Sequence, residues 1–443
     1  MKILPFRGYR YNLDKIKNLD EVISPPYDQF KEGLDDFLYQ RHPYNIARLI
    51  MNKETPEDSP TDNRYTRSRA LLAEWLKSNV FVQDPEPSIY PYFQDYAVAG
   101  ETRTRKGFVA LGEVTNYDQR IVLPHERTLA KPKQDRLNLL RSTLADTGLV
   151  FMLYSDPEGK IESLLDTVTQ RSPSCKAYDL KGELNALWRV SDLGVIEKVI
   201  QLMRDRTVII ADGHHRYEVA LAFRQESTTR IREDDRWGLY GYKLMSFVRL
   251  ESAGITIFPI HRLVHSLDHF EPEELIRRLE TFFRTEHLPY EATNKLTVLD
   301  RLMKSLARAQ AAGENAFGLY LPALHRFLLL TFRKEMTAQV TWPPGKSEAW
   351  RVLDVSVLQT VILDGLLNIG EQQLTDQSHL EYVSHHEDAV ELADRKGYPC
   401  AFLLNATPIQ QVKAVCESGD LLPQKSTHFH PKLMEGLVFA KHL

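Results

Sequence analysis

Residues 208–223 read VIIADGHHRYEVALAF, placing an aspartate, two histidines and an arginine where an apolar run gives way to a helical pattern. A helix start exposes several unpaired backbone N–H groups and carries a partial positive charge. Gly213 lets a ligand approach the backbone, and Asp212 is a capping residue type. Arg216 offers a planar fork for phosphate oxygens, while His214 and His215 add donors or groups that titrate near neutral pH. The run as a whole predicts an anion site, most naturally for phosphate. An Asp-capped helix with surface histidines would account for each residue singly, but not for the combination. A metal cage built from Asp212, His214 and His215 is disfavoured, because adjacent helix residues point about 100° apart. Mg2+ held by Asp212 together with substrate phosphates fits the residues better.

Three further polar clusters stand out. In VLPHERTLAKPKQDR, residues 122–136, Glu126 sits between His125 and Arg127 and is a candidate general base. His125 and Thr128 join the expected binding set, and Lys131, Lys133 and Arg136 offer charge for an anion. Pro124 and Pro132 are expected to keep this stretch extended. Near the start, PFRGYRYN and SPPYD supply Arg7, Tyr27 and Asp28, the last two fixed by the stiff Pro25–Pro26 pair. In LLPQKSTHFHPKL, residues 421–433, Lys425, Ser426, Thr427 and Lys432 are candidates to line a phosphate or carboxylate pocket. PPGKS at 343–347 ends like a phosphate-binding loop, but Val340 stands where the first glycine is required, so it reads as a turn.

These clusters need a scaffold of alternating strands and helices. The patterns predict strands at 93–97 and 107–114 joined by a turn at Gly100, and further strands at 149–154, 186–190 and 207–211. Helices are expected at 29–39, 64–78, 135–144, 194–205 and from His214 to about Phe223. The second half predicts helices at 272–284, 295–311 and 353–367 and a hairpin over 316–332. Both halves read as α/β. The polar segment 267–273 sets the expected boundary, giving regions 1–268 and 269–443.

The 443 residues suffice for two or three domains, and 43% apolar with 26% charged residues is an ordinary globular balance. A net charge of −4 gives no global attraction to nucleic acid or anionic membrane. No apolar run approaches the roughly 20 residues of a membrane helix, and the first residues show no secretory pattern. Cys175, Cys400 and Cys416 are widely spaced and form no CxxC pair, which argues against a disulfide framework and fits a reducing cytoplasm.

In order along the chain, PFRGYRYN, VISPPYD, PYNIARL, PHERT, KQDRLNLL, IADGHHRYE, FPIHRLV and PQKST-F-PKL resemble the bacterial and archaeal family called domain of unknown function 1015. The resemblance runs from about residue 3 to 440. Departures are Leu422 where the family has Met, His428 and His430 where it has tyrosines, and Gln29–Phe30 in place of Val-Ile. The DGHHR run further resembles the phosphate-binding helix start of the ParB/sulfiredoxin superfamily, whose free-serine kinases carry a catalytic Glu in an upstream Pro-His-Glu segment. That likeness implies a mixed-sheet α/β (α+β) core with added N-terminal and C-terminal α/β elements. It also implies Glu126 as base and Asp212, His214, His215 and Arg216 as the phosphate and Mg2+ end. The expected function is phosphoryl transfer involving a small hydroxylated metabolite, serine or phosphoserine, with ATP or ADP as nucleotide. The alternatives are a phosphatase using His214 or His215, or a non-catalytic nucleotide sensor or DNA-associated protein. No helix-turn-helix or basic tail supports the last of these.

Overall fold

The computed structural model describes residues 1–128, 130–227 and 239–442. The chain forms two compact units, Met1–Ile255 with Pro431–Leu443, and Thr256–His430. The division expected at 268/269 therefore differs in two ways. The crossing comes after Ile255, and the last stretch returns to the first unit.

The first unit is built on a nine-stranded mixed sheet. Its strands are β1 (Ile3–Leu4), β2 (Tyr90–Val98), β3 (Glu101–Glu113), β4 (Val122–Leu123), β5 (Val150–Tyr154), β6 (Cys175–Tyr178), β7 (Leu184–Leu187), β8 (Val208–Asp212) and β9 (Tyr242–Arg249). The order is β4-β8-β5-β9-β3-β2-β7-β6, with β1 also beside β3. Two neighbours are parallel, β4 with β8 and β5 with β9, and the remaining pairs are antiparallel. The hairpin β2–β3 turns on Ala99 and Gly100, at φ 51° and 81°. Its two-residue loop needs this left-handed pair to match the strand twist. β5 and the apolar part of β8 are buried throughout, which explains runs without alternation.

Five longer helices accompany this sheet: α1 (Arg64–Lys77), α2 (Ala130–Thr143), α3 (Lys160–Val168), α4 (Leu193–Met203) and α5 (His214–Ser227). Ile161 and Leu165 of α3 and Ile196, Val199 and Met203 of α4 join Phe108, Met152, Ile210 and Phe247 in the main core. α5 is buried on two sides. Tyr217 and Ala220 enter that core, while Val219 and Phe223 pack against Leu137 and Leu140 of α2. α2 begins earlier than its expected start at 135, so Pro132 lies in a first helical turn rather than in an extended loop. Proline is tolerated there because a first-turn N–H has no partner within the helix. The helix expected from Gln29 instead starts at Leu34, after a 3-10 turn at Tyr27–Gln29 and Gly33 at φ 79°.

The second unit carries a six-stranded antiparallel sheet. The strands of this unit are β10 (Thr256–Phe258), β11 (His261–Val264), β12 (Phe283–Pro289), β13 (Ala316–Leu321), β14 (Arg326–Phe332), β15 (Leu380–Val383), β16 (Cys400–Leu403) and β17 (His428–His430). The sheet order is β12-β14-β13-β16-β11-β15, and β10 and β17 form a separate ribbon. α6 (Pro272–Phe282), α7 (Lys295–Ala311), α8 (His386–Lys396) and α9 (Ile409–Glu417) complete it. Leu299, Leu302 and Leu306 of α7 and Ala389 and Ala393 of α8 share one core with β13 and β16 residues. The helix expected over 353–367 is one α-turn, Asp354–Val357, that widens into a π-helix at Leu358–Asp364.

Tyr217 ties α5 to the end of β3. Its hydroxyl accepts from the Thr115 N–H at 2.9 Å and donates to the Thr115 carbonyl at 2.8 Å, in a fully buried position. Tyr217→Phe leaves both backbone groups unsatisfied, and chemical denaturation should show a loss of about 1–3 kcal/mol.

Candidate functional site

The junction of β8 and α5 is a tight reversal. The pairing of β8 with β5 shifts register between Ile210 and Asp212, a bulge that re-aims the strand end. Gly213 follows at φ 92°, a conformation that side-chain-bearing residues rarely adopt. A Cβ there would also stand 3.0 Å from Arg216 Nε. Glycine is thus required twice, for the backbone angle and for room.

Arg216 uses that room by turning inward. Its Nη1 donates to the Leu149 carbonyl at 2.5 Å and its Nη2 to Asp212 Oδ2 at 3.2 Å, and the residue is only 6% exposed. The fork expected for phosphate oxygens thus has both of these nitrogens engaged by acceptors of the fold. The guanidinium braces the junction from beneath, because two acceptors inside the fold meet its planar geometry. The other carboxylate oxygen of Asp212 takes Lys432 Nζ at 3.3 Å. Burial would push the Asp212 carboxyl up, but Lys432 and Arg216 outweigh it and hold the pKa below the usual range. With both oxygens facing cationic donors, Asp212 is a poor fit for Mg2+, contrary to the sequence expectation.

Parallel pairing of Leu123 with Ile209 carries the Pro-His-Glu segment alongside the junction. His125 Nδ1 donates to the Ile210 carbonyl at 2.6 Å, and the His125 backbone N–H donates to His214 Nε2 at 3.2 Å. The two rings meet edge to face, with centroids 4.5 Å apart. Because Nε2 of His214 accepts, the neutral ring carries its proton on Nδ1. That atom is buried, stands 3.3 Å from Glu126 Oε1 and makes no aligned hydrogen bond. The contact is electrostatic, between a buried N–H and a one-third exposed carboxylate.

Ligand atoms of His125, Glu126 and His214 all lie within 4.8 Å of one another, a spacing that would admit a metal ion. The hydrogen bonds oppose that use. A metal at Nδ1 of His214 would force the proton onto Nε2, against the His125 N–H. His125 and His214 are joined by a hydrogen bond, and Glu126 adds an electrostatic contact to His214.

Thr128 Oγ1 and Lys133 Nζ both donate to Glu218 Oε2 at 2.7 Å, clamping the PHERT segment and α2 to α5. His215 is half-buried, and burial lowers its pKa against the opposing pull of Glu126. Tyr27 and Asp28 also lie near this junction. The Arg136 guanidinium lies 4.4 Å from the Tyr27 ring centroid. Burial raises the Tyr27 hydroxyl to about 12, while the charge of Arg216 opposes the shift. Asp28 acts on Arg216 and His215 through its charge.

Beside the helix start lies a cavity of about 50 Å³, walled by Tyr27, Arg136, Gly148, Arg216, Lys243 and Glu435 together with apolar residues such as Leu140 and Val219. Lys243 Nζ pairs with Asp146 and donates to the Gly148 carbonyl at 3.0 Å. Burial pushes the Glu435 carboxyl up, against the pull of Arg216, Arg136 and Lys243. Lys243, Asp146, Glu435 and Glu218 were not legible as site residues. Lys243 and Glu435 are single charged residues in apolar surroundings, Asp146 sits in a short polar turn-like stretch, and only Glu218, four residues after His214, carried a helical signal.

Other sequence candidates lie elsewhere. Arg7 Nε donates to the Asp84 carbonyl at 2.9 Å, beside the ion pair of Arg10 with Asp84. Lys425, Ser426 and Thr427 belong to the second unit. There Arg262 donates to the Lys425 carbonyl at 2.7 Å, and Thr407 to that of Ser426 at 3.1 Å. The side chain of Lys131 lies outside the described residues.

His125 is held neutral. Burial first, then the neighbouring His214, pull its pKa from 6.5 to about 4. The unfolded chain accepts a proton that the fold refuses, so stability present above about pH 6.5 is lost as pH falls towards about 4. Urea unfolding at about pH 7 and about pH 5 should show this loss, and His125→Gln, which keeps a neutral donor for Ile210, should shrink it.

No helix among the described residues is long and apolar enough to cross a membrane. Cys175, Cys400 and Cys416 are free and buried. Comparison with curated proteins gives no match. Among solved structures, a free serine kinase variant in complex with AMP is 12% identical, covering 72% of this chain and 86% of that one, at a TM-score of 0.35. A conserved hypothetical protein from Pyrococcus furiosus is 13% identical over 72% of this chain and 90% of its own, at 0.33. SbnI with a C-terminal truncation, from Staphylococcus aureus, is 10% identical over 74% and 85%, at 0.34. Residues 3–356 match the family described as protein of unknown function, DUF1015. The match ends before the PQKST segment yet takes in most of the chain, and the chain belongs to this family.

Proposed function

We propose that the protein binds a nucleotide or a small phosphorylated metabolite at the start of α5 and transfers a phosphoryl group involving a small hydroxylated metabolite. Serine and phosphoserine are the first candidates, with ATP or ADP as the nucleotide. The observation that carries this reading is the 3.3 Å approach of Glu126 to His214 at a glycine-led helix start. Two motifs far apart in sequence supply a carboxylate and an anion-favouring helix terminus to one place. The motif resemblance to free-serine kinases supports the same roles.

In this reading the N–H groups at the start of α5 and the Lys432 ammonium receive phosphate oxygens. Phosphoryl transfer asks mainly for positioning and charge stabilisation, which fixed donors supply without reorganisation. Glu126 takes the proton from the attacking hydroxyl, and the hydroxyl oxygen forms the new bond to phosphorus as the leaving phosphate departs. His214, with its proton on Nδ1, steadies the carboxylate. Arg216 and Asp212 hold the junction rigid. Any divalent ion arrives with the phosphates, since Asp212 is already committed to its cationic neighbours.

A thermal-shift screen with ADP, ATP, CTP, serine and phosphoserine, each with and without Mg2+, tests the binding part. A nucleotide should raise the melting temperature by mass action, and Lys432→Met, which removes a proposed phosphate donor, should reduce that rise. Glu126→Gln should keep the nucleotide shift but lose about 10²–10⁴ in turnover. A shift with phosphoserine alone would point to a phosphatase, and no shift with any of the five compounds would overturn the reading.

A further inference from the structure

In the second unit, a cavity of about 670 Å³ opens at one end of the six-stranded sheet. That volume lies in the range of small-molecule sites. Its walls are mostly apolar and flat, with the rings of Phe270, Tyr290 and Tyr398 and the faces of Pro322 and Pro399. Two charged side chains interrupt them, Lys295 and Asp394, which form an ion pair.

The pair is held in place from within the fold. The Lys295 ammonium lies 4.7 Å from the Tyr320 ring centroid and 5.4 Å from that of Tyr290. Tyr320 donates its hydroxyl proton to Asp394, and the Tyr290 and Tyr320 hydroxyls are 3.0 Å apart. Both charged side chains still reach solvent, Lys295 at 19% and Asp394 at 42% exposure. Helix ends reinforce the polarity. Lys295 is the first residue of α7, where the helix dipole is positive, and Asp394 lies in the last turn of α8, where it is negative.

The wall thus presents a fixed plus and a fixed minus side by side. A ligand with one charge would meet attraction and repulsion together and gain little. A ligand carrying adjacent opposite charges fits in reverse order, its carboxylate at Lys295 and its ammonium at Asp394. The apolar remainder of the cavity then takes a side chain, and flat tyrosine and proline faces suit a ring. We propose that this cavity is a binding site for a free α-amino acid with an aromatic side chain. The inference is independent of the phosphoryl-transfer reading.

Isothermal titration of the full chain with L-phenylalanine tests it, beside phenethylamine, which lacks the carboxylate, and 3-phenylpropionate, which lacks the ammonium. L-phenylalanine should bind saturably, and each analogue should bind at least about tenfold more weakly. Lys295→Met and Asp394→Asn should each weaken L-phenylalanine by a similar factor. Two variants guard against simple misfolding. The double exchange K295D/D394K keeps an ion pair but reverses its direction, and Ala323→Trp adds bulk at an exposed wall residue. Both should keep a cooperative thermal transition and the parent's circular dichroism, and lose binding. Absence of saturable heat with L-phenylalanine, equal binding of either analogue, or unchanged binding in K295D/D394K would overturn the proposal.

Discussion

The pairing of Val122–Leu123 with Val208–Ile209 is only two residues long, and the candidate site depends on it. Two residues of parallel ladder set where Pro124, His125 and Glu126 emerge. From there the His125 ring reaches the Ile210 carbonyl and its backbone N–H reaches His214. Val122, Leu123, Val208 and Ile209 are all nearly inaccessible, so the register is fixed by burial as well as by hydrogen bonds. A slip of one residue would turn Leu123 out of the core and carry Glu126 away from α5.

A second constraint works from beneath. Arg216, Asp212 and Lys432 form a charge cluster drawn from two places in the chain, and nearby Lys243, Asp146, Arg136 and Glu435 line a small cavity. Burying so many charges is costly unless each is matched. Here most are matched by a carboxylate or a backbone carbonyl. The outcome is a rigid floor under the helix start, while the exposed edge of Glu126 and the half-buried His215 remain on the open side.

Much of this was legible in the sequence because it rests on residue types in local patterns. An apolar run ending in Asp-Gly-His-His announces a strand passing into a helix, and α5 begins where that pattern places it. Pro-His-Glu marked a carboxylate that the fold brings beside His214, and the long helices over 64–77 and 295–311 followed their periodicity. What stayed hidden depends on direction or on distant partners. An arginine fork reads the same whether it faces solvent or the core, so the inward turn of Arg216 left no mark. Lys243 in an apolar strand and Glu435 near the C-terminus become meaningful only when the fold brings them to one cavity. Pro132 reads as a breaker unless it is known to sit in a first turn. The unit boundary was hidden for a similar reason. Residues 440–441 pair with 145–146, and Ser24 bridges to Glu435, contacts that no local pattern announces.

The return of residues 431–442 to the first unit has a consequence for how the protein is made. Synthesis runs from the N-terminus, and domains generally fold as they emerge. Lys432, which faces Asp212, and Glu435, which lines the cavity, leave the ribosome only after the whole second unit has been translated. Until then Asp212 has lost one of its two cations, and Tyr9, Ser24 and the 145–146 strand lack their backbone partners. The first unit is therefore chemically incomplete for most of its own synthesis. Its charge cluster closes late, so a chain truncated within the second unit would lack the groups that finish the site.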